Sequence, residues 1–119
     1  MPKARTRMQR GIQMQKWLED EYPVRHPVNV LWSKERLDEC DPCAVCGLLT
    51  DERGDKEYFI VLSLKHVPLV KDVGYYMIHE WVHLVLGLNY GHGPPFDLQR
   101  GVIERDYNEG GGFEKTIEY

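Results

Sequence analysis

Three polar residues, His79, Glu80 and His83, interrupt an otherwise apolar run between Tyr75 and Leu88. Met77, Ile78, Trp81, Val82, Leu84, Val85, Leu86 and Leu88 surround them. A helix over residues 75–88 is therefore apolar nearly all round and belongs in an interior. At about 100° per residue, the three polar side chains share one arc of about 100°. Burying them unpaired costs several kcal/mol. The fold must resolve that cost, with either a His–Glu–His hydrogen-bond network or a metal ion. Asp72 or Gly74 is the expected N-cap of this helix, and Gly87 and Gly91 mark its end.

The spacing favours the metal. His79-Glu80-Trp81-Val82-His83 is the H-E-x-x-H pattern. Residues four apart lie one turn apart on the same face, so both imidazoles reach one ion. Glu80 sits beside them, close enough to face a water on the metal without competing as a ligand. Zinc lowers that water's pKa to about 7, and a carboxylate takes its proton. A catalytic zinc also needs a third protein ligand and an open fourth position. His92, Glu104 and Asp97 are the candidates. His92 has the best reach, because Gly91 and Gly93 flank it and let the chain turn sharply. Glu104 suits a site in which the following helix donates a carboxylate. Asp97 reads more simply as a first-turn residue of that helix. Tyr90 and Tyr107 are candidate donors to an oxyanion, although packing is the better reading of both.

The rest of the chain supplies a small α+β frame. Met14, Trp17, Leu18 and Tyr22 make one apolar stripe and predict a helix over residues 8–22. Val28, Val30 and Trp32 share the face of a strand. Residues 44–50 and 58–64 predict a hairpin around Gly54. A last helix is expected from about Pro95 to Tyr107, and Gly110 to Gly112 break the chain. The expected fold is thus a single α+β domain over residues 1–119. It has an N-terminal helix, a mostly antiparallel sheet of about three strands, the H-E-x-x-H helix and a C-terminal helix. Residues 1–10 form a basic arm and residues 110–119 a tail. Phe113 and Ile117 allow the tail one weak helical turn at most.

Charge and cysteine usage narrow the setting. A net charge of -4 does not advertise nucleic-acid binding by the whole molecule. Residues 1–16 nevertheless hold Lys3, Arg5, Arg7, Arg10 and Lys16 without an acid, so this arm is the place where DNA could be touched. No apolar run approaches the roughly 20 residues of a membrane span, and no secretory signal is visible. Cys40, Cys43 and Cys46 are an odd set of three, which does not read as a secreted disulfide framework. A reducing, cytoplasmic location is expected. The three thiols are either free, a structural metal site completed by His26 or His66, or a redox pair. The thioredoxin-like βαβ context that a redox pair requires is missing.

His79-Glu-Trp-Val-His-Leu84, followed by Gly91-His-Gly-Pro-Pro-Phe96, resembles the SprT-like zinc metalloprotease domain. The order helix, strand, hairpin, metal helix is similar as well. The resemblance implies a zincin-like fold for this α+β domain, zinc on His79, His83 and His92, catalysis by Glu80, and an edge strand that pairs with an extended protein or peptide substrate. The chain departs from bacterial relatives that carry a C-terminal zinc ribbon, since no cysteine follows Cys46. The metzincin pattern does not fit, because its glycine would fall at Leu86 and its third histidine at Asn89. The expected activity is hydrolysis of peptide bonds. The alternatives are a zinc amidase acting on a small amide or cell-wall peptide, and a zinc-stabilised module that binds protein or DNA without catalysis.

Overall fold

The structure, a computed structural model, describes residues 6–38, 42–89 and 91–111. It is an α+β fold of three α-helices and one three-stranded mixed sheet. Helix α1 (Arg7–Glu21) precedes strand β1 (Val28–Ser33) and the hairpin β2 (Ala44–Thr50) and β3 (Lys56–Ser63). Helices α2 (Val70–Leu86) and α3 (Pro94–Asp106) follow, and a short π-helical turn (Tyr107–Gly111) extends α3.

Strand β3 is central, in the order β1-β3-β2. Its sequence suits that place. Tyr58, Ile60 and Leu62 face the core, while Phe59 and Val61 give the opposite face apolar character too. The hairpin is the antiparallel half of the sheet, from Ala44 opposite Leu62 to Thr50 opposite Lys56. Its turn uses Gly54 at φ 87°, in the left-handed region, and Asp51 Oδ1 accepts from the N–H groups of Arg53 and Asp55. Strand β1 pairs with β3 in parallel, Val28 opposite Tyr58 through Ser33 opposite Ser63. The expectation of a mostly antiparallel sheet therefore describes the hairpin, and β1 makes the sheet mixed.

The helices meet the sheet on one face. Met14 and Leu18 of α1, and Val73, Met77, Ile78, Trp81, Val82 and Leu84 of α2, are buried with Ile60 and Leu62. Each such side chain contributes about 1.5–3 kcal/mol by leaving water. Trp81 Nε1 donates to the carbonyl of Tyr22 at 2.8 Å, which ties α2 to the end of α1. Helix α2 begins one turn earlier than its capping residues imply. Its N-cap is Leu69, with no side-chain capping bond, and Asp72 and Gly74 lie inside the helix. Burial of Val73 against the core outweighs the missing cap. Gly74 allows Tyr107 to approach: a Cβ there would stand 2.8 Å from the phenol oxygen.

The basic stretch is partly spent on structure. Thr6 and Gln9 form a capping box that starts α1. Arg7 then donates to the carbonyls of Leu64 and Val67, and stacks over Trp32. Arg10 is only 2% exposed and donates to the Tyr107 hydroxyl at 3.0 Å. A phosphate cannot reach it there. At the other end of α1, the Tyr22 hydroxyl donates to Asp106. Burial, then the Asp106 carboxylate, push the Tyr22 phenol up to about 12. Phe113 and Ile117 lie outside the described residues.

Candidate metal centre

The centre is built from one helix and the loop that follows it. Within α2, the helical repeat sets His79 and His83 one turn apart, with ring centroids 5.3 Å apart. The helix stops at Gly87, whose φ of 109° is a conformation that side chains resist. Its N–H donates to the carbonyl of His83 at 2.9 Å and closes the last turn. The chain then returns so that His92 lies over both histidines. Its ring centroid is 5.0 Å from that of His79 and 4.8 Å from that of His83.

Gly91 and Gly93 are not what makes this return possible. Neither has a positive φ. A Cβ at Gly91 would meet nothing within 4 Å, and one at Gly93 only the Pro95 ring, at 3.9 Å. The sharp backbone angle falls at Gly87 instead. Pro94 and Pro95 then start α3 immediately, which anchors the far end of the loop.

The three rings fit a metal ion. One nitrogen from each of His79, His83 and His92 lies within 4.8 Å of the others. His83 Nε2 and His92 Nε2 are 3.0 Å apart. Two nitrogens on one tetrahedral zinc stand roughly 3.3 Å apart, given Zn–N bonds of about 2.0–2.1 Å. A single N–H···N bond joins only two of the three nitrogens, whereas a cation accepts all three lone pairs. His79 and His83 are half-buried and His92 is exposed, so the cluster is closed on the protein side and open toward solvent. That asymmetry suits a catalytic ion more than a structural one.

Glu80 is only 3% exposed and lines the same cleft as His83 and His92. The cleft has a volume of about 270 Å³, and its other walls are Ala44, Val45, Cys46 and Leu88. A cleft of about 430 Å³ at the far end of the hairpin is larger but has no histidine in its wall. Size alone does not locate chemistry; convergent polar groups do.

The other candidates lie elsewhere. Glu104 and Asp97 both lie beside Arg100, at 3.9 Å and 3.6 Å, on the partly exposed side of α3. Neither belongs to the histidine cluster. Tyr107 packs against Trp17 and Tyr75 and receives the Arg10 hydrogen bond, so it is a core residue and not an oxyanion donor. Tyr90 and Cys40 lie outside the described residues. Cys43 and Cys46 are half-buried, and Cys43 Sγ donates to the His66 carbonyl at 3.4 Å. His26 packs on Tyr58. Among the described residues, no metal-ligating group joins Cys43 or Cys46 to His26 or His66.

Phe96 is the site residue that motif spacing undervalued. Its buried ring touches all three imidazoles, with centroid distances of 4.9, 4.6 and 4.8 Å to His79, His83 and His92. It is the floor that fixes their orientation. Its only signal in the sequence is its place four residues after His92. Phe96→Ala should cost about 3–5 kcal/mol of stability by opening a cavity. Zinc affinity should fall about 10–100-fold as the rings lose their support. Denaturation and competition with a chelator of known affinity check both, and a variant with unchanged zinc affinity would remove Phe96 from the site. Among known proteins, no family model, no curated protein and no solved structure matches the chain.

Proposed function

We propose that this chain is a zinc-dependent peptidase of SprT-like type, with zinc on His79, His83 and His92 and Glu80 as general base. The observation that carries the reading is the meeting of three imidazoles beside one buried carboxylate at the mouth of a cleft. A bound zinc would supply Lewis acidity toward a peptide carbonyl and acidify water. Glu80 takes the proton from the attacking water and passes it to the leaving amine. Burial holds its carboxylate in one place, so little reorganisation is needed during the reaction. Strand β2, the outer strand beside the cleft, offers an extended chain a direction along which to lie.

A cytoplasmic location goes with this reading, since three cysteines packed into seven positions do not read as a secreted disulfide framework. Among the described residues, no helix is long and apolar enough to cross a membrane. The deciding experiment is metal analysis joined to a generic protease assay. Metal-free protein titrated with zinc should take up close to one equivalent per chain and then cleave an unfolded protein such as casein. Two equivalents would revive the cysteine site. No uptake would sink the reading.

A further inference from the structure

We propose that the sheet face turned away from the helices docks a second copy of this chain, with the two sheets stacked about a two-fold axis that crosses the strands. Helices α1 and α2 pack on the other face. Strand register places Leu31 of β1, Phe59 and Val61 of β3, and Val45 and Leu49 of β2 together on the outward side. Leu31 is 54% exposed and Leu49 55%. The Phe59 ring lies so close over Gly47 that a Cβ there would not fit, which holds the ring at the middle of the face. A strand with one wet face alternates apolar and polar residues, whereas Phe59 and Val61 continue the apolar run of Tyr58, Ile60 and Leu62. Such a strand belongs between two layers, and the described residues supply one.

Charge at the two ends of the face selects the occupant and its direction. At the hairpin end, Glu57 shares the face with Leu49. At the other end the Ser63 hydroxyl, on the same side as Val61, donates to the carbonyl of Glu35 at 2.9 Å. The chain leaving β1 therefore crosses there and brings exposed Lys34, Glu35 and Arg36 with it, two cations to one acid. An isologous contact sets a patch against itself. An axis along the strands would lay Glu57 over Glu57. An axis across them lays Glu57 of each copy near the other's Lys34 and Arg36, twice by symmetry, and Phe59 over Val61. A face that is apolar at its centre and oppositely charged at its ends is thus complementary to itself. A strand spacing of about 4.8 Å and a rise of about 3.3 Å per residue give this face roughly 300 Å² on each copy. Two such faces fall below the roughly 1,200 Å² of a stable complex, so the dimer is weak and governed by concentration.

The test is sedimentation velocity of the 119-residue chain over a range of concentrations, with and without zinc. Half of the chains should be dimeric at about 10–100 µM, as a contact of this size allows. Leu31→Glu should weaken dimerisation at least about tenfold, because it buries a charge in the contact. In dilute solution it should still unfold at the unsubstituted chain's midpoint, since Leu31 is exposed in a single copy. Glu57→Lys should weaken the dimer about 3–10-fold, and adding Lys34→Glu should restore it. A chain that is monomeric at every concentration overturns the proposal and leaves the face to another partner. A dimer indifferent to Leu31→Glu overturns it by placing the contact elsewhere. A dimer that Glu57→Lys strengthens, or a double variant as weak as Glu57→Lys alone, overturns the charge pairing and with it the axis.

Discussion

Glu80→Gln should retain zinc and fold but lose hydrolysis by about 10²–10⁴-fold, the range that a positioned acid or base supplies. The substitution keeps the volume and shape of a side chain that is 3% exposed, so the packing around α2 has no cause to change. What it removes is the ability to accept a proton from water at neutral pH. Zinc content, thermal stability and casein cleavage should be measured on the same preparation. A variant that is still active identifies another base and leaves Glu80 a structural role. A variant that loses zinc as well shows that the carboxylate holds the ligands in place.

His92→Ala should weaken zinc binding by at least about 100-fold. Four-ligand protein sites bind zinc with roughly 10–16 kcal/mol, so the share of one ligand is about 3 kcal/mol. The control is Glu104→Ala. Glu104 is partly exposed and only 3.9 Å from Arg100 in a surface pair, so its loss should change stability by about 0.5 kcal/mol at most and leave zinc affinity intact. The reverse pattern would assign the third ligand to a carboxylate from α3. Both variants are read by chelator competition. The glycines beside His92 no longer belong in this test, because a Cβ at either is accommodated. The backbone angle that returns the loop is at Gly87.

Much of the frame was legible because it depends on neighbours in the chain. The 3.6-residue repeat alone places His79, Glu80 and His83 on one arc of α2, and its apolar surroundings alone demand burial. Alternation and turn chemistry define the hairpin, with β2 at Ala44–Thr50 and Gly54 at its tip. The boundaries drift where tertiary burial overrides a local signal. Helix α2 starts at Val70 without a side-chain cap, because its first turn packs into the core.

Contacts between distant segments decided the rest. Three residues were candidates to complete the histidine pair, and the sequence favoured His92 by reach alone. The path from Gly87 to Pro94 brings His92 within 3.0 Å of His83, while Glu104 and Asp97 stay beside Arg100. Tyr107 had the right chemistry for the site, but the approach allowed by Gly74 and the Arg10 hydrogen bond hold it in the core. The parallel partner of β1 and the meeting of Ala44 and Cys46 with Leu88 across the cleft are likewise long-range outcomes. By itself the sequence determined which polar side chains share one arc of α2, since helical periodicity is a local property. Only the tertiary structure decided which group meets the histidine pair and what lines the cleft beside it, because those groups meet through packing across separate elements, and no local spacing encodes that packing.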